Sequence, residues 1–225
     1  MNNTVKKSAS RLKIPLLLAY LLTFYGLWTL WEFFGAPWLQ ASVHKQWLVE
    51  LLSSGVVKNA VWTLPAILLI GRYEPSLQIG LKEMFSAPVQ WLKYLPVFVG
   101  FTVYLLFGVL WQGSLAINET FSAADVISVL FVGITEELVF RGWLLNGAVC
   151  KRKWLPILVN ALLFLTIHFP IWIVEGSFVA NFTGLGFLCL LGLSVIFSWS
   201  FLKSRSILVP IALHMYWDLL MFLFY

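Results

Sequence analysis

Residues 125–149, DVISVLFVGITEELVFRGWLLNGAV, decide how the chain folds. The run is apolar enough and long enough to cross a bilayer, which takes about 20 residues of helix. Yet Glu136, Glu137 and Arg141 stand in its middle. An ionisable side chain there is expensive unless it is paired or hydrated, so these three need a reason to be present. The rest of the chain has the same character. Of 225 residues, 60% are hydrophobic and 11% are charged, against about 25% charged in a soluble domain. No single water-soluble core of this length hides so much apolar surface, and the excess must face lipid.

Working outward, further apolar runs fall at about 14–36, 56–71, 94–112, 154–174, 184–202 and 207–225. The expected fold is therefore an all-α, polytopic transmembrane helix bundle of about seven spans. Lys6, Lys7, Arg11 and Lys13 precede the first span. Arg72, Lys82 and Lys93 follow the second, Lys151, Arg152 and Lys153 the fourth, and Lys203 and Arg205 the sixth. The loops at 113–124 and 175–183 carry no Lys or Arg. Seven spans with a cytoplasmic N-terminus put every basic cluster inside. The formal charge of +5 is then a topology signal and implies no nucleic acid partner. The chain divides into a basic cytoplasmic tail (1–13), an N-terminal transmembrane region with interfacial segments (14–112) and a transmembrane core (113–225). Segment 37–55 reads as an interfacial amphipathic helix, and 72–93 as a connecting loop with a short interfacial helix. The run from Ile14 is too long for a signal-peptide core and reads as a retained span. Glu32 and Lys58 read as lying near span ends, where they snorkel to the interface. Cys150 and Cys189 form no CxxC or Cys/His cluster and support neither a thiolate metal site nor a disulfide framework.

Charged residues recur inside three spans. Glu137 and Arg141 are four apart on one helical face and are placed to pair. Glu136 lies about 100° further round and is left over. A leftover carboxylate in a poorly solvated site suits a general base. His168 lies in FLTIHFP (164–170), where Pro170 breaks the helix and frees nearby carbonyls. His214 and Asp218 are four apart in the last span. Straight-helix counting places Glu136, His214 and Asp218 at mid-membrane and His168 somewhat nearer the far side. The break at Pro170 or a tilt must absorb that offset.

These residues resemble a known family. EExxxR (Glu136, Glu137, Arg141), FxxxH (Phe164, His168) and HxxxD (His214, Asp218), in this order and in separate spans, look like the CPBP intramembrane peptidases. That family takes in type II CAAX prenyl endopeptidases and bacterial Abi-like proteins linked to bacteriocin immunity. The resemblance covers about 125–220 and makes 113–225 the catalytic core. It implies that Glu136 activates water, Glu137 and Arg141 brace it, His168 orients or deprotonates the water, and His214 and Asp218 stabilise the oxyanion. The third motif often ends in Asn. An ionised Asp218 cannot donate a hydrogen bond, so it must carry a proton or instead lock His214 as a donor.

The expected function is thus an intramembrane endopeptidase of the cell (plasma) membrane, acting on a membrane-associated peptide or protein. Glu136 and His168 supply the activated water, and His214 the oxyanion site. The favoured route needs no cofactor. The rival route places zinc on His168, His214 and Glu136, since catalytic zinc takes three protein ligands plus water, although HExxH is absent. Two other functions use the same residues: a bacteriocin-immunity or partner-binding protein without catalysis, and a proton-coupled carrier. The carrier reading lacks the paired, interrupted half-repeats such folds show.

Overall fold

In a computed structural model of the chain, residues 14–111, 113, 116–148 and 154–225 are described. The basic tail 1–13, Cys150 and the cluster Lys151, Arg152 and Lys153 lie outside the described residues. The regular structure of the described residues is all helix, without a strand. Helix α1 runs over Ile14–Ser42 and α2 over Gln46–Ser76. The short α3 is Leu81–Ser86, and α4 is Leu95–Trp111. Helix α5 occupies 123–148, α6 Trp154–Thr166, α7 Phe169–Val174, α8 Phe178–Thr183, α9 Gly186–Ser204 and α10 Leu208–Phe224. Ile14–Ser42, Gln46–Ser76, the α6–α7 stretch Trp154–Val174 and Gly186–Ser204 are each long and apolar enough to cross a membrane. Helices α4 and α10 are apolar but shorter. Large apolar side chains such as Leu22, Leu68, Phe107 and Leu162 point outward and stay exposed, the arrangement that lipid, and not water, favours.

The first two helices differ from the expectation. Segment 37–55 forms no separate interfacial helix. Residues 37–42 complete α1, only 43–45 break the chain, and α2 begins at Gln46. Val43 takes up an extended conformation there. The charges at 44, 45 and 50 that read as an interface are tolerated because they cluster round the turn and the first turn of α2. The expected short helix within 72–93 is present as α3.

Helix α5 is the axis of the bundle. Its start is fixed by a capping box, in which the Ser122 N–H donates to Asp125 at 2.8 Å. From Leu138 to Leu145 it widens to π-helical hydrogen bonding, a feature common at functional sites. Every residue from 135 to 146 is buried. Its first half packs on α2 and α10 and its second on α2, α6 and α9. Gly133 makes the α10 contact possible: a Cβ there would stand 2.8 Å from Met215 Cγ and 3.6 Å from the Ile211 carbonyl, so only a missing side chain lets these backbones approach.

At one end of the bundle the α3 segment clasps the α9–α10 turn. The Ile207 N–H donates to the Met84 carbonyl at 2.8 Å, and Ser206 Oγ donates to the same oxygen at 3.2 Å. Arg205 pairs with Glu83 at 2.5 Å and reaches the Gln78 carbonyl at 3.0 Å. The side chain of Asn146, near the end of α5, bonds both the N–H and the C=O of Ile79, at 3.0 and 2.8 Å. Two segments that carry basic residues in the sequence, 72–93 and 203–205, therefore share one end.

Candidate active site

The buried charges of α5 are met by side chains from α6, α9 and α10. Arg141 is fully buried and donates through Nη1 to Glu137 Oε1 at 2.9 Å. Its Nη2 donates to Ser194 Oγ at 2.8 Å and to the Ser194 carbonyl at 3.2 Å. The guanidinium also lies over the rings of Phe164 and Phe197, at 4.5 and 5.3 Å, a setting that suits its weakly hydrated, delocalised charge. Glu137 Oε1 accepts a second hydrogen bond, from Nδ1 of His214 at 2.8 Å. One carboxylate oxygen thus joins α5 to α10 and ties both to α9.

This differs from the expected division of labour. Glu137 and Arg141 form the anticipated i, i+4 pair, but the residue they brace directly is His214. Nδ1 of His214 is locked by Glu137, while Asp218 Oδ2 lies 3.5 Å from the other nitrogen, Nε2. Glu136 Oε2 lies 3.9 Å from the same Nε2. The Nε2 edge of His214 therefore faces both Asp218 and Glu136. Phe197 stacks on the His214 ring at 4.9 Å and holds its plane.

Glu136 and His214 are each only 5% exposed. Glu136 Oε2 has no hydrogen-bond partner among the described residues. Buried carboxylate oxygens seldom remain unpaired, and this one stands beside the Nε2 edge of His214. His168 sits where α6 ends. It makes no direct bond with Glu136 or His214, though both lie within its electrostatic reach. The Phe164 ring contacts both imidazoles, at 5.2 and 5.9 Å. Nδ1 of His168 lies 2.7 Å from the Phe164 carbonyl. A carbonyl only accepts, so Nδ1 carries the hydrogen and Nε2 is left as an acceptor.

Among the described residues, no group of three His, Cys, Asp or Glu side chains is arranged to hold a metal ion. Nε2 of His214 stays open toward Glu136 and Asp218, and His168 makes no direct bond with either His214 or Glu136.

Glu32 and Lys58 are not at helix ends. The helices carrying them run well past the apolar stretches read from sequence, so Lys58 falls near the middle of a 31-residue helix. Glu32 is buried and within electrostatic reach of Lys58. The Lys58 ammonium lies over Trp28 and Trp62, at 4.9 and 5.7 Å. Ser194 and Phe197 went unnoticed in the sequence. The available signal was Ser194 and Ser198, four apart inside an otherwise apolar span. Ser198 donates to Asn160 Oδ1 at 3.3 Å, and Asn160 donates to the Phe140 carbonyl at 2.8 Å.

The charged core of α5 and the imidazoles of α6 and α10 all fall within one recognisable segment. Residues 118–220 match the family Type II CAAX prenyl endopeptidase Rce1-like. The resemblance read from the motifs is borne out over nearly the same stretch. The Rce1-like segment takes in α5 to α9 and most of α10, and leaves α1 to α4 unmatched. No curated protein and no solved structure gives a significant match. The Rce1-like family consists of membrane proteases, so the match points to hydrolase chemistry on a membrane-embedded peptide.

Proposed function

We propose that the chain is an intramembrane endopeptidase that cuts a membrane-associated peptide or protein with water activated by Glu136. The observation that carries this reading is the unpartnered, buried Glu136 oxygen beside His214, held on a helix whose neighbouring charges are already neutralised. In the proposed reaction the water donates one hydrogen to Glu136 Oε2 and the other to Nε2 of His168. Glu136 takes the proton as the water oxygen attacks the scissile carbonyl. The oxyanion accepts a hydrogen bond from the protonated Nε2 of His214. The proton on Glu136 passes to the leaving amine, the C–N bond breaks, and a carboxylic acid and an amine are released. Arg141 and Glu137 hold His214 in its donating orientation. No step passes through a metal.

The Rce1-like match favours lipidated, CAAX-type peptides as the substrate class. The placement of the 72–93 and 203–205 segments at one end fits seven spans with that end cytoplasmic; the proposal further takes the plasma membrane as the location and 113–225 as the catalytic core.

The test uses the full chain in proteoliposomes with an alkyl-anchored, internally quenched peptide library, products being identified by mass spectrometry. Glu136→Gln keeps the shape and removes the base. Turnover should fall about 10²–10⁴-fold, the range for a general base, with peptide binding retained. Cleavage by this variant at the wild-type rate would refute the proposal. Activity that is lost on chelation and returns with stoichiometric zinc would defeat the metal-free route.

A further inference from the structure

Helix α1 lies outside the Rce1-like segment, yet it reaches the turn that presents His168. Pro170 has no N–H to return to the helix, so the chain leaves the α-helix at 167–168. The turn tightens: the His168 N–H donates to the Leu165 carbonyl at 3.1 Å and not to that of Phe164. The Phe164 carbonyl is thereby free to accept from the imidazole of His168 itself, at 2.7 Å. The tautomer of His168 is a product of this backbone turn.

Two α1 side chains grip the carbonyls on either side of it. Trp28 Nε1 donates to the Ile167 carbonyl at 3.0 Å, in a buried bond. The Tyr25 hydroxyl donates to the Leu163 carbonyl at 2.5 Å and lies 2.9 Å from Thr166 Oγ1. Trp28 is itself held edge-on by Trp62 at 4.5 Å, with Lys58 over its face at 4.9 Å. The Leu163 carbonyl also accepts the Ile167 N–H and Thr166 Oγ1, both at 3.1 Å, so Tyr25 adds a bond from α1 to the last regular turn of α6, and Trp28 adds one to the turn itself.

We propose that Trp28 and Tyr25 are positioning residues for the reaction: by clamping the carbonyls of Ile167 and Leu163 they hold the turn at 167–168 and so fix His168 with Nδ1 donating and Nε2 facing the Glu136 water. This rests on the peptidase reading for its consequence, but not for its geometry. It gives Lys58, within helix α2, a place as well, as the cation that seats the indole.

The experiment replaces Trp28 by Phe, or by 3-benzothienylalanine, which keeps the bicyclic shape and loses only the N–H; Tyr25→Phe is the second variant. All are made in the full chain in nanodiscs, with ¹⁵N-histidine. The chain has three histidines, so the His168 signal is assigned by its disappearance in His168→Gln. Wild type should show His168 as the Nδ1–H tautomer, and the variants a mixture. On the quenched peptide library the variants should lose roughly five- to tenfold in kcat, the scale of one neutral hydrogen bond, with KM unchanged. An unchanged tautomer in folded Trp28 and Tyr25 variants overturns the proposal, as does an effect on KM alone. If Glu136→Gln is inactive while the Trp28 variants keep full kcat, only the positioning role fails. If Glu136→Gln remains active, the peptidase reading fails, and the tautomer still decides whether α1 holds His168.

Discussion

Replacing Arg141 with Met keeps most of the side-chain stem and removes the charge. Three hydrogen bonds disappear, to Glu137 and twice to Ser194, along with the cation contacts to Phe164 and Phe197. Hydrogen bonds to a charged group contribute about 1.5–3 kcal/mol each, and a cation over a ring about 0.5–2 kcal/mol. Their sum overstates the loss, because burying the guanidinium itself carries a desolvation penalty of several kcal/mol. The larger effect falls on Glu137, which is left fully buried without its counter-charge and with only His214 beside it. Removing one partner of such a pair destabilises by about 3–5 kcal/mol. Removing both should be gentler: Glu137→Gln combined with Arg141→Met leaves no naked charge. Reversible unfolding in mixed micelles, followed by tryptophan fluorescence, would measure the four corners of the cycle. The double variant should be more stable than the sum of the singles predicts by at least about 2 kcal/mol. A loss under about 1 kcal/mol for Arg141→Met, or strict additivity, would refute the account of Arg141 as the counter-charge of the core.

Gly133→Val should push α10 away from α5, because the new Cβ stands against Met215; overpacking of this kind destabilises by about 1–3 kcal/mol, and turnover should fall with it. Asp218→Asn supplies a neutral donor where the related pattern often has Asn; it should stay within roughly tenfold of wild-type turnover, whereas Asp218→Ala, which leaves His214 Nε2 facing Glu136 alone, should fall further. At the exposed end, the hydrogen bond from Arg205 holds the Glu83 carboxyl below the usual carboxylate range. The sign follows from that depression: the stabilisation is full above the ordinary value near pH 4.3 and disappears as the pH falls through the lowered one. Hydrogen exchange over 77–87 should therefore quicken only on acidification below about pH 4. The effect should be no more than about 1 kcal/mol, as for a solvent-screened pair, and Glu83→Gln should abolish it.

The helical class and the charged heart of α5 were legible because both follow from local rules. Apolar runs of span length leave few other folds, and i, i+4 spacing pairs Glu137 with Arg141 before any tertiary contact is known. The partners were harder. Nothing in the spacing of His214 and Asp218 indicates that Nδ1 faces Glu137 and only Nε2 faces Asp218, because that depends on how α10 is rotated against α5, set by contacts such as Gly133 on Met215. Ser194 escaped because the i, i+4 spacing of Ser194 and Ser198 names a polar face but not the guanidinium of another helix that meets it. The helices that carry Glu32 and Lys58 run further than their apolar stretches, because hydropathy tracks side-chain polarity, while the backbone of α1 and α2 continues helically through polar residues. The break at Pro170 was readable, but the donors that answer it, Trp28 and Tyr25, lie about 140 residues away in sequence.

The double role of Glu137 Oε1 constrains how this protein can vary. The same atom receives the guanidinium that holds the bundle together and the imidazole proposed to meet the reaction's negative charge. A substitution that retunes one partner necessarily disturbs the other, so durability and turnover are coupled through a single lone-pair-bearing atom. Adaptation to heat, cold or a new substrate is then free to proceed at the periphery, in the lipid-facing side chains and the α3 clasp, while residue 137 can change only in concert with 141 and 214.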